Sequence, residues 1–387
     1  MRAAMRRPAL AQIRYVAPVR SAAAAEAADT AGGALVGAVY RQTEREFGVL
    51  APPIALHSPS PQVTAAAWLM LRETLLVPDQ VARPVKEAVA CGVSLANSCP
   101  FCVSVHGATL RGFAGGRAAS AIARGRFDEV RDPAVRAAAV WAHGSAPGAL
   151  GPAPSAPFPL DQAPEYVGVA VTFHYLNRMV NTFLEDAPMP PSAPRRGLAV
   201  VERVLSAMIR ASVRHVGAPG AALELLAAGD SSAGRPVDLP AGPALTAGTG
   251  RIAQALTAAD VAIERAGRRS VPEPVRALVL AQLDGWDGRP KPPSRSWVEA
   301  PLERIGPRQR AAGRLALLVA LASYQIDPEV IRGFRDEQPD DDAALVETAA
   351  WAALAAARRA ARRLAPPDDL SAGARGGDPE ARPMRRS

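Results

Sequence analysis

Alanine-rich apolar segments separated by prolines occupy most of this chain, and they constrain its fold more than any other feature. Hydrophobic residues make up 49% of the sequence, whereas aromatic residues make up only 5%. Alanine is the strongest helix former, and strands prefer aromatic and β-branched residues. The sequence contains no convincing run in which β-branched residues alternate with polar ones. We therefore expect an all-α, multi-helical fold.

Prolines and glycines mark the ends of the expected helices. We predict helices over residues 34–48, 62–77, 83–97, 115–125, 132–144, 162–184 and 196–215. A chain of 387 residues is long enough for two domains or for one large domain with a sizeable core. We expect two helical lobes, over residues 1–216 and 217–365, followed by a disordered tail over residues 366–387 to which we assign no role.

The second lobe resembles the first at a constant offset of 226 residues. Residues 313–333 share with residues 87–107 an apolar helix, a break, a proline-started helix and a final glycine. At this offset Glu87, Cys99, Cys102 and His106 are replaced by Gly313, Gln325, Pro328 and Arg332. We hypothesise a degenerate repeat that lacks the reactive groups of the first lobe. The alternative is an unrelated helical lobe, because helical hairpins are easy to match.

Two cysteines and a histidine fall within eight positions, although the chain has only three cysteines and five histidines. Pro100 predicts that a new helix begins beside Cys99, since proline is favoured at the first helical position. Cys102 would then lie in the first turn, where unpaired N–H groups and the helix dipole favour a thiolate. His106 would lie one turn further on the same face, where it could take the thiol proton.

Other interpretations of the cysteine pair stay open at this point. Glu87, on the preceding predicted helix, could complete a proton relay if the two helices pack side by side. A structural zinc site normally needs four ligands, and only Cys91 remains elsewhere. A thioredoxin-like fold would place the motif after a strand, but the flanking sequence is helical. Two inert buried thiols are the remaining alternative, and Cys91 itself fits that description.

The segment from Glu87 to Gly107 resembles the active segment of the AhpD-like alkylhydroperoxidases, within the carboxymuconolactone decarboxylase superfamily. The pattern is a glutamate, a Cys-x-x-Cys pair that begins twelve residues later, and a histidine four residues after the pair. The specific match covers roughly residues 60–145, and a looser one extends over residues 12–215. The resemblance implies an all-helical fold that is commonly oligomeric. Some relatives carry a histidine between the two cysteines, where this chain has Pro100 and Phe101.

The same resemblance implies a thiol-dependent peroxidase that reduces hydrogen peroxide or alkyl hydroperoxides. Cys102 would be the peroxidatic cysteine, Cys99 the resolving cysteine, and Glu87 and His106 the proton relay. No bound cofactor or metal is expected, and the partner would be an external dithiol reductant of the lipoyl or thioredoxin type. A non-redox, decarboxylase-like enzyme and a redox-sensing binding protein are the alternatives.

Charge and apolar patterning bear on partners and location. The net charge of +8 would ordinarily indicate nucleic acid. However, Lys86 and Lys291 are the only lysines, and the scattered arginines are typical of a GC-rich genome. No run approaches the ~18 apolar residues of a membrane helix, and the N-terminus lacks the apolar core of a signal peptide. We expect a cytoplasmic protein without nucleic-acid or membrane partners.

The remaining histidines carry weaker expectations. His57 and His215 lie near predicted helix ends, where we expect exposed or capping side chains. His143 lies in an alanine-rich helix and is expected at the core or its edge. His174 lies in the segment that resembles a later helix of the family, so it is the candidate among them for lining the active pocket.

Overall fold

The computed structural model describes residues 10–145, 155–186, 215–228, 250–286, 290–338 and 341–364. Within these ranges the architecture is built from helices and turns, and strand-like pairing is limited to an isolated bridge between Ile13 and Leu184. The expected all-α, multi-helical fold is thereby confirmed. In the same ranges no helix combines the length and apolar character that a membrane crossing requires.

The helices of eight or more residues are labelled in chain order. They are α1 Ala31–Glu46, α2 Pro61–Leu71, α3 Arg83–Ala96, α4 Pro100–Ala114, α5 Gly116–Ala123, α6 Pro133–Gly144, α7 Ala163–Phe183, α8 Ala221–Ala228, α9 Arg251–Ser270, α10 Glu273–Asp284, α11 Arg310–Ala322, α12 Pro328–Glu337 and α13 Asp342–Leu364. Shorter α-helices are Ala22–Glu26, Pro52–Ala55 and Glu299–Leu302, and a π-helical turn, Arg72–Leu76, continues α2. 3₁₀ turns are Phe127–Glu129, Leu160–Gln162, Arg295–Val298, Pro307–Gln309 and Ser323–Gln325.

Proline explains why several predicted helix starts agree with the structure. Pro61, Pro100 and Pro133 each occupy the first turn of a helix, where a missing N–H costs nothing. Helix α1 begins three residues before the predicted start at residue 34, because the Thr30 hydroxyl accepts a hydrogen bond from the N–H of Gly33 at 2.9 Å. Nearly all of the predicted helix over 196–215, and the whole tail over 366–387, lie outside the described residues.

The main hydrophobic core of the described residues extends across both halves of the chain, beside a small cluster of Ala25, Val36, Tyr40, Leu50 and Ala55. Its buried members run from Val16 to Leu364. Helix α7 packs against α3 and α13, α9 packs against α2 and α13, and α11 packs against α13. Helix α13 therefore contacts elements of both halves. The site described below lies where α3, α4 and α7 meet.

Buried polar contacts also join the halves. The Ser60 hydroxyl donates to Glu347 of α13 at 2.8 Å, and Arg251 of α9 donates to Glu73 of the π turn at 2.9 Å. Buried charges of this kind are tolerated only when they are paired. The division at residue 216 stays a prediction.

The hypothesis of a degenerate repeat also stays a prediction. Helices α3 and α11 end at Ala96 and Ala322, which are 226 residues apart. The helices that follow begin at Pro100 and Pro328, which are 228 residues apart. The two helix pairs thus share an outline, with a break that is two residues longer in the second pair.

Candidate active site

Helices α3 and α4 pack against each other and carry the four predicted site residues. Asn97 is the C-cap residue of α3, and Cys99 is the N-cap residue of α4. Between them Ser98 has φ = +51°, a left-handed conformation that lets the chain reverse sharply. The prediction of a helix starting at Pro100 is confirmed, and Cys102 lies in its first turn.

The two sulfur atoms are in direct contact. The thiol of Cys99 donates to Sγ of Cys102 at 2.8 Å, and both side chains are free thiols. Cys99 is 1% exposed and Cys102 is 4% exposed, so bulk water does not separate them. Burial, together with the hydrogen bond to Cys102, raises the pKa of Cys99 well above its usual range. Cys99 therefore keeps its proton at neutral pH and offers it to Cys102.

Glu87 and His106 form a second buried pair. Oε2 of Glu87 lies 2.7 Å from Nδ1 of His106, and Nε of Arg83 donates to Oε1 of Glu87 at 2.7 Å. Burial raises the pKa of Glu87, but the charges and hydrogen bonds of Arg83 and His106 outweigh burial and hold the pKa below its usual range. An ionised Glu87 can only accept, so Nδ1 of His106 carries the proton. In a neutral imidazole with that tautomer, the other ring nitrogen, Nε2, is the acceptor.

The two pairs lie on one side of α4 but are not joined directly. His106 follows Cys102 by one helical turn, and Phe173 of α7 packs edge-on against its ring at 4.5 Å. Within the described residues, no hydrogen bond connects His106 to either sulfur atom. Cys91 lies near both pairs: burial first, and then the charges of Glu87 and Cys102, raise the pKa of its thiol to about 12. Cys91 is therefore protonated at neutral pH.

A polar network from α7, which sequence reasoning missed, surrounds the thiol pair. Nδ2 of Asn177 donates to Ser94 at 3.0 Å, and the Asn177 side chain also hydrogen-bonds Cys99. Asn97 donates to Oδ1 of Asn177 at 3.0 Å and contacts Nδ1 of His174 at 3.1 Å. The network fixes the end of α3 immediately before the cysteine motif.

A comparison with known proteins places the chain in a family. It is 36% identical over 316 residues to alkyl hydroperoxide reductase Rv2159c from Mycobacterium tuberculosis, which covers 82% of this chain and 86% of that protein. The chain belongs to the AhpD-like alkylhydroperoxidase family. The 316 matched residues exceed the 216 of the predicted first lobe, so this AhpD-like likeness includes part of the second half. No family model and no solved structure matches the chain.

His174 does not face an open pocket in this AhpD-like chain. Its side chain is fully buried, and Nε2 lies 3.3 Å from the hydroxyl of Ser145. Burial, and then the charge of Arg178, lower the pKa of His174 well below its usual range, so the ring is neutral. We infer that His174 holds Asn97 in place.

The expectation for His57 was wrong. The side chain is completely buried, and its Nε2 lies 2.9 Å from the hydroxyl of Tyr175 on α7. Burial lowers the pKa of His57 to about 3. His215 is exposed, as expected. His143 is also exposed rather than in the core, and its ring lies 5.3 Å from that of Phe127.

The structure also bears on metal binding. In the part of the chain that the structure describes, no three His, Cys, Asp or Glu side chains gather as a metal ion would require.

Proposed function

We propose that this chain is a thiol-dependent peroxidase that reduces hydrogen peroxide or alkyl hydroperoxides through a disulfide cycle of Cys99 and Cys102. The observation that carries the proposal is the 2.8 Å contact between the two sulfur atoms, one turn from the Glu87–His106 pair. The similarity to a protein named alkyl hydroperoxide reductase supports it.

In the first step the Cys102 thiol passes its proton through a bridging water molecule to Nε2 of His106, and its sulfur attacks the terminal oxygen of the hydroperoxide. The O–O bond breaks, the sulfur is oxidised by two electrons to a sulfenic acid, and the leaving alkoxide takes the proton from His106. Glu87 stabilises the transient imidazolium through its 2.7 Å hydrogen bond. The products of this step are Cys102 sulfenic acid and an alcohol, or water from hydrogen peroxide.

In the second step Cys99 resolves the sulfenic acid. Its sulfur bonds to that of Cys102 and water leaves, so no further oxidant is needed. The two atoms start 2.8 Å apart, so little movement of the helix start is required. An external dithiol of the lipoyl or thioredoxin type then reduces the disulfide by exchange and is itself oxidised to a disulfide.

Peroxide consumption driven by dihydrolipoamide, and separately by thioredoxin, tests the proposal. We expect Cys102→Ser to abolish turnover, and Cys99→Ser to consume one equivalent of peroxide and then stall. Cys91→Ser is the matched control and should keep multiple turnovers, because its buried thiol takes no part.

Three results would contradict the proposal. Equal residual turnover in Cys102→Ser and Cys99→Ser would contradict the assignment of Cys102 as the peroxidatic cysteine and Cys99 as the resolving cysteine. A reversible disulfide without multiple turnovers would indicate a redox-sensing binding protein. Enzymatic activity that survives alkylation of both thiols would indicate a non-redox, decarboxylase-like enzyme.

A further inference from the structure

A cavity of about 80 Å³ lies beside the turn that leads into Cys99. Its wall combines polar groups with an aromatic and aliphatic face, formed by residues that include Asn97, Ser98, Arg178, Trp286, Ser323 and Tyr324. The volume is sufficient for a small polar group rather than for a whole organic molecule. Tyr324 is 45% exposed, so one side of the cavity reaches the protein surface.

Arg178 gives this cavity its charge. It is the one charged side chain among the described lining residues, and it is only 5% exposed. Its Nε donates to the carbonyl of Ala320 at 3.1 Å and its Nη1 to the carbonyl of His174 at 2.6 Å. Burial lowers the pKa of Arg178 to about 10, so the guanidinium is still charged at neutral pH.

No carboxylate pairs with Arg178 in the described part of the chain, and Nη2 makes no hydrogen bond there. A buried cation without a counter-ion is costly. Fully buried Arg72 is paired with carboxylates, and so is Arg358, whose side chain is 10% exposed. Among the described residues, the partners of Arg178 are carbonyl oxygens, so its positive charge can attract an anionic ligand in the cavity.

Ser323 supplies a second donor to the same cavity. Its Oγ accepts a hydrogen bond from Nδ2 of Asn181 at 3.0 Å. The hydroxyl proton of Ser323 makes no hydrogen bond within the described residues, so it is available to a ligand in the cavity. Asn181 also donates to the carbonyl of Asn97 at 3.2 Å, which ties this donor to the turn before Cys99.

We propose that the cavity binds the carboxylate of an acidic organic hydroperoxide, with Arg178 and Ser323 as donors and the aromatic face holding the adjoining hydrocarbon. A guanidinium and a hydroxyl together match the oxygen atoms of a carboxylate. Because the cavity wall includes Ser98, the residue before Cys99, a carboxylate bound there would hold the rest of the molecule near the thiol pair. The inference rests on the proposed peroxidase function and names its substrate class.

The decisive comparison uses a fatty-acid hydroperoxide and its methyl ester, in which a methyl group replaces the negative charge at one end. We expect kcat/KM for the acid to exceed that for the ester by about tenfold or more, the usual value of a charge-assisted hydrogen bond. Ser98→Asp should remove this preference, since it places a competing carboxylate at the cavity without touching the bonds of Arg178. Aspartate and asparagine both tolerate the left-handed backbone of Ser98, so Ser98→Asn is the matched neutral control and should keep the preference.

Arg178→Gln provides an independent variant, and it should also make kcat/KM for the acid equal to that for the ester. Equal kcat/KM for acid and ester in the unaltered protein would overturn the inference while leaving peroxidase function intact. An acid preference that survives in both Ser98→Asp and Arg178→Gln would overturn it as well.

Binding of the non-peroxidic hydroxy acid, measured by calorimetry, separates this inference from the proposed function. We expect the hydroxy acid to bind the unaltered protein about tenfold more tightly than Ser98→Asp. If no hydroperoxide is turned over at all, the peroxidase proposal fails, and this binding difference still supports a carboxylate site. Equal binding to the two proteins would exclude the site in either case.

Discussion

Two proline-started helices, α4 and α12, begin in similar surroundings but satisfy their first N–H groups differently. In α12 the N-cap is Asp327, whose carboxylate accepts from the N–H groups of Glu329 and Val330 at 3.0 and 3.1 Å. In α4 the N-cap is Cys99, and its side chain makes no capping hydrogen bond. The positive end of α12 is neutralised by a fixed carboxylate, whereas that of α4 is left to the Cys102 sulfur. The same local fold thus caps a helix in one place and, in the proposed reaction, serves thiol chemistry in the other.

The helices that precede them, α3 and α11, also differ in the charge that they bury. Helix α3 buries the charged Glu87, whereas the position at the same offset in α11 is Gly313. A Cβ atom at Gly313 would come within 2.7 Å of Ile305 and 2.8 Å of Leu302, so the glycine allows close packing. Burying the charge of Glu87 costs free energy in the first helix pair, and the second pair has no charge at that position. A buried carboxylate at this point is expected to have a function.

The largest effect is expected when the charge on α3 is removed. Glu87→Gln keeps the shape of the side chain but leaves His106 without an anionic partner. We expect kcat/KM for a neutral hydroperoxide to fall by about ten- to a hundredfold, the usual effect of losing such a partner. Steady-state kinetics measures this, and Glu87→Asp, which keeps the charge, should recover part of the loss.

An exposed glutamate on α8, Glu224, provides the control, since Glu224→Gln should leave kcat/KM unchanged. Full activity in Glu87→Gln would mean that Glu87, like Gly313, has a packing role and no influence on the thiols. Unfolding in urea shows whether a loss of activity is instead a loss of folded protein.

Sequence alone could predict the local features of this comparison but not the tertiary ones. Pro100 marks the start of α4 because proline fixes φ and lacks an N–H, both properties of the residue itself. The burial of His57 depends on how the short helix Pro52–Ala55 packs near α7, and a position near a helix end gives no sign of that. The spacing of Glu87, Cys99, Cys102 and His106 was visible in the sequence, whereas the partners of the α7 residues depend on packing.

The network on α7 did leave a signal. His174, Asn177 and Asn181 recur at the spacing of one helical face, in a helix that is otherwise mostly apolar. Arg178 lies on the adjoining edge of that face. Polar residues repeated along a buried helix predict a buried network, but their partners on α3 and α11 could be assigned only from the packing of the three helices.

The second prediction uses the distribution of histidines, because all five lie before residue 217 and the second half has none. The folded-state pKa of His57, about 3, is below the ordinary value of 6.5. The unfolded chain therefore binds a proton that the folded chain does not as pH falls from 6.5 toward 3. The contribution of neutral His57 to the free energy of unfolding is therefore fully present above pH 6.5. It decreases below pH 6.5 by about 1.4 kcal/mol per pH unit at most.

Urea unfolding between pH 6.5 and 5 measures this slope. We expect His57→Gln, which can still accept from Tyr175, to flatten it by about one proton. Exposed His215 is the matched control, so His215→Gln should leave the slope as it is. Identical slopes in His57→Gln and the unaltered protein would mean that His57 takes up a proton without unfolding.

The smallest effect concerns the cap of α12 itself. Asp327→Ala removes the acceptor for two N–H groups, and we expect it to lower the free energy of unfolding by about 1 kcal/mol. Asp327→Asn keeps a capping oxygen and loses only the ion pair with Arg295. The side chains of Arg295 and Asp327 are 30% and 41% exposed, so the loss of this pair should lower the free energy of unfolding by less. Urea unfolding measures both changes, and peroxide turnover should be the same in the two variants.

The results for Asp327 show whether the starts of α4 and α12 have different roles. A loss in Asp327→Asn as large as that in Asp327→Ala would assign the stability to the ion pair rather than to the cap. Reduced turnover in Asp327→Ala would connect α12 to the thiol site and contradict the division of roles. If only stability changes, the cap of α12 serves the fold alone. Asp327 already accepts from the N–H groups of Glu329 and Val330, whereas those of α4 are left for the sulfur that the proposed reaction needs.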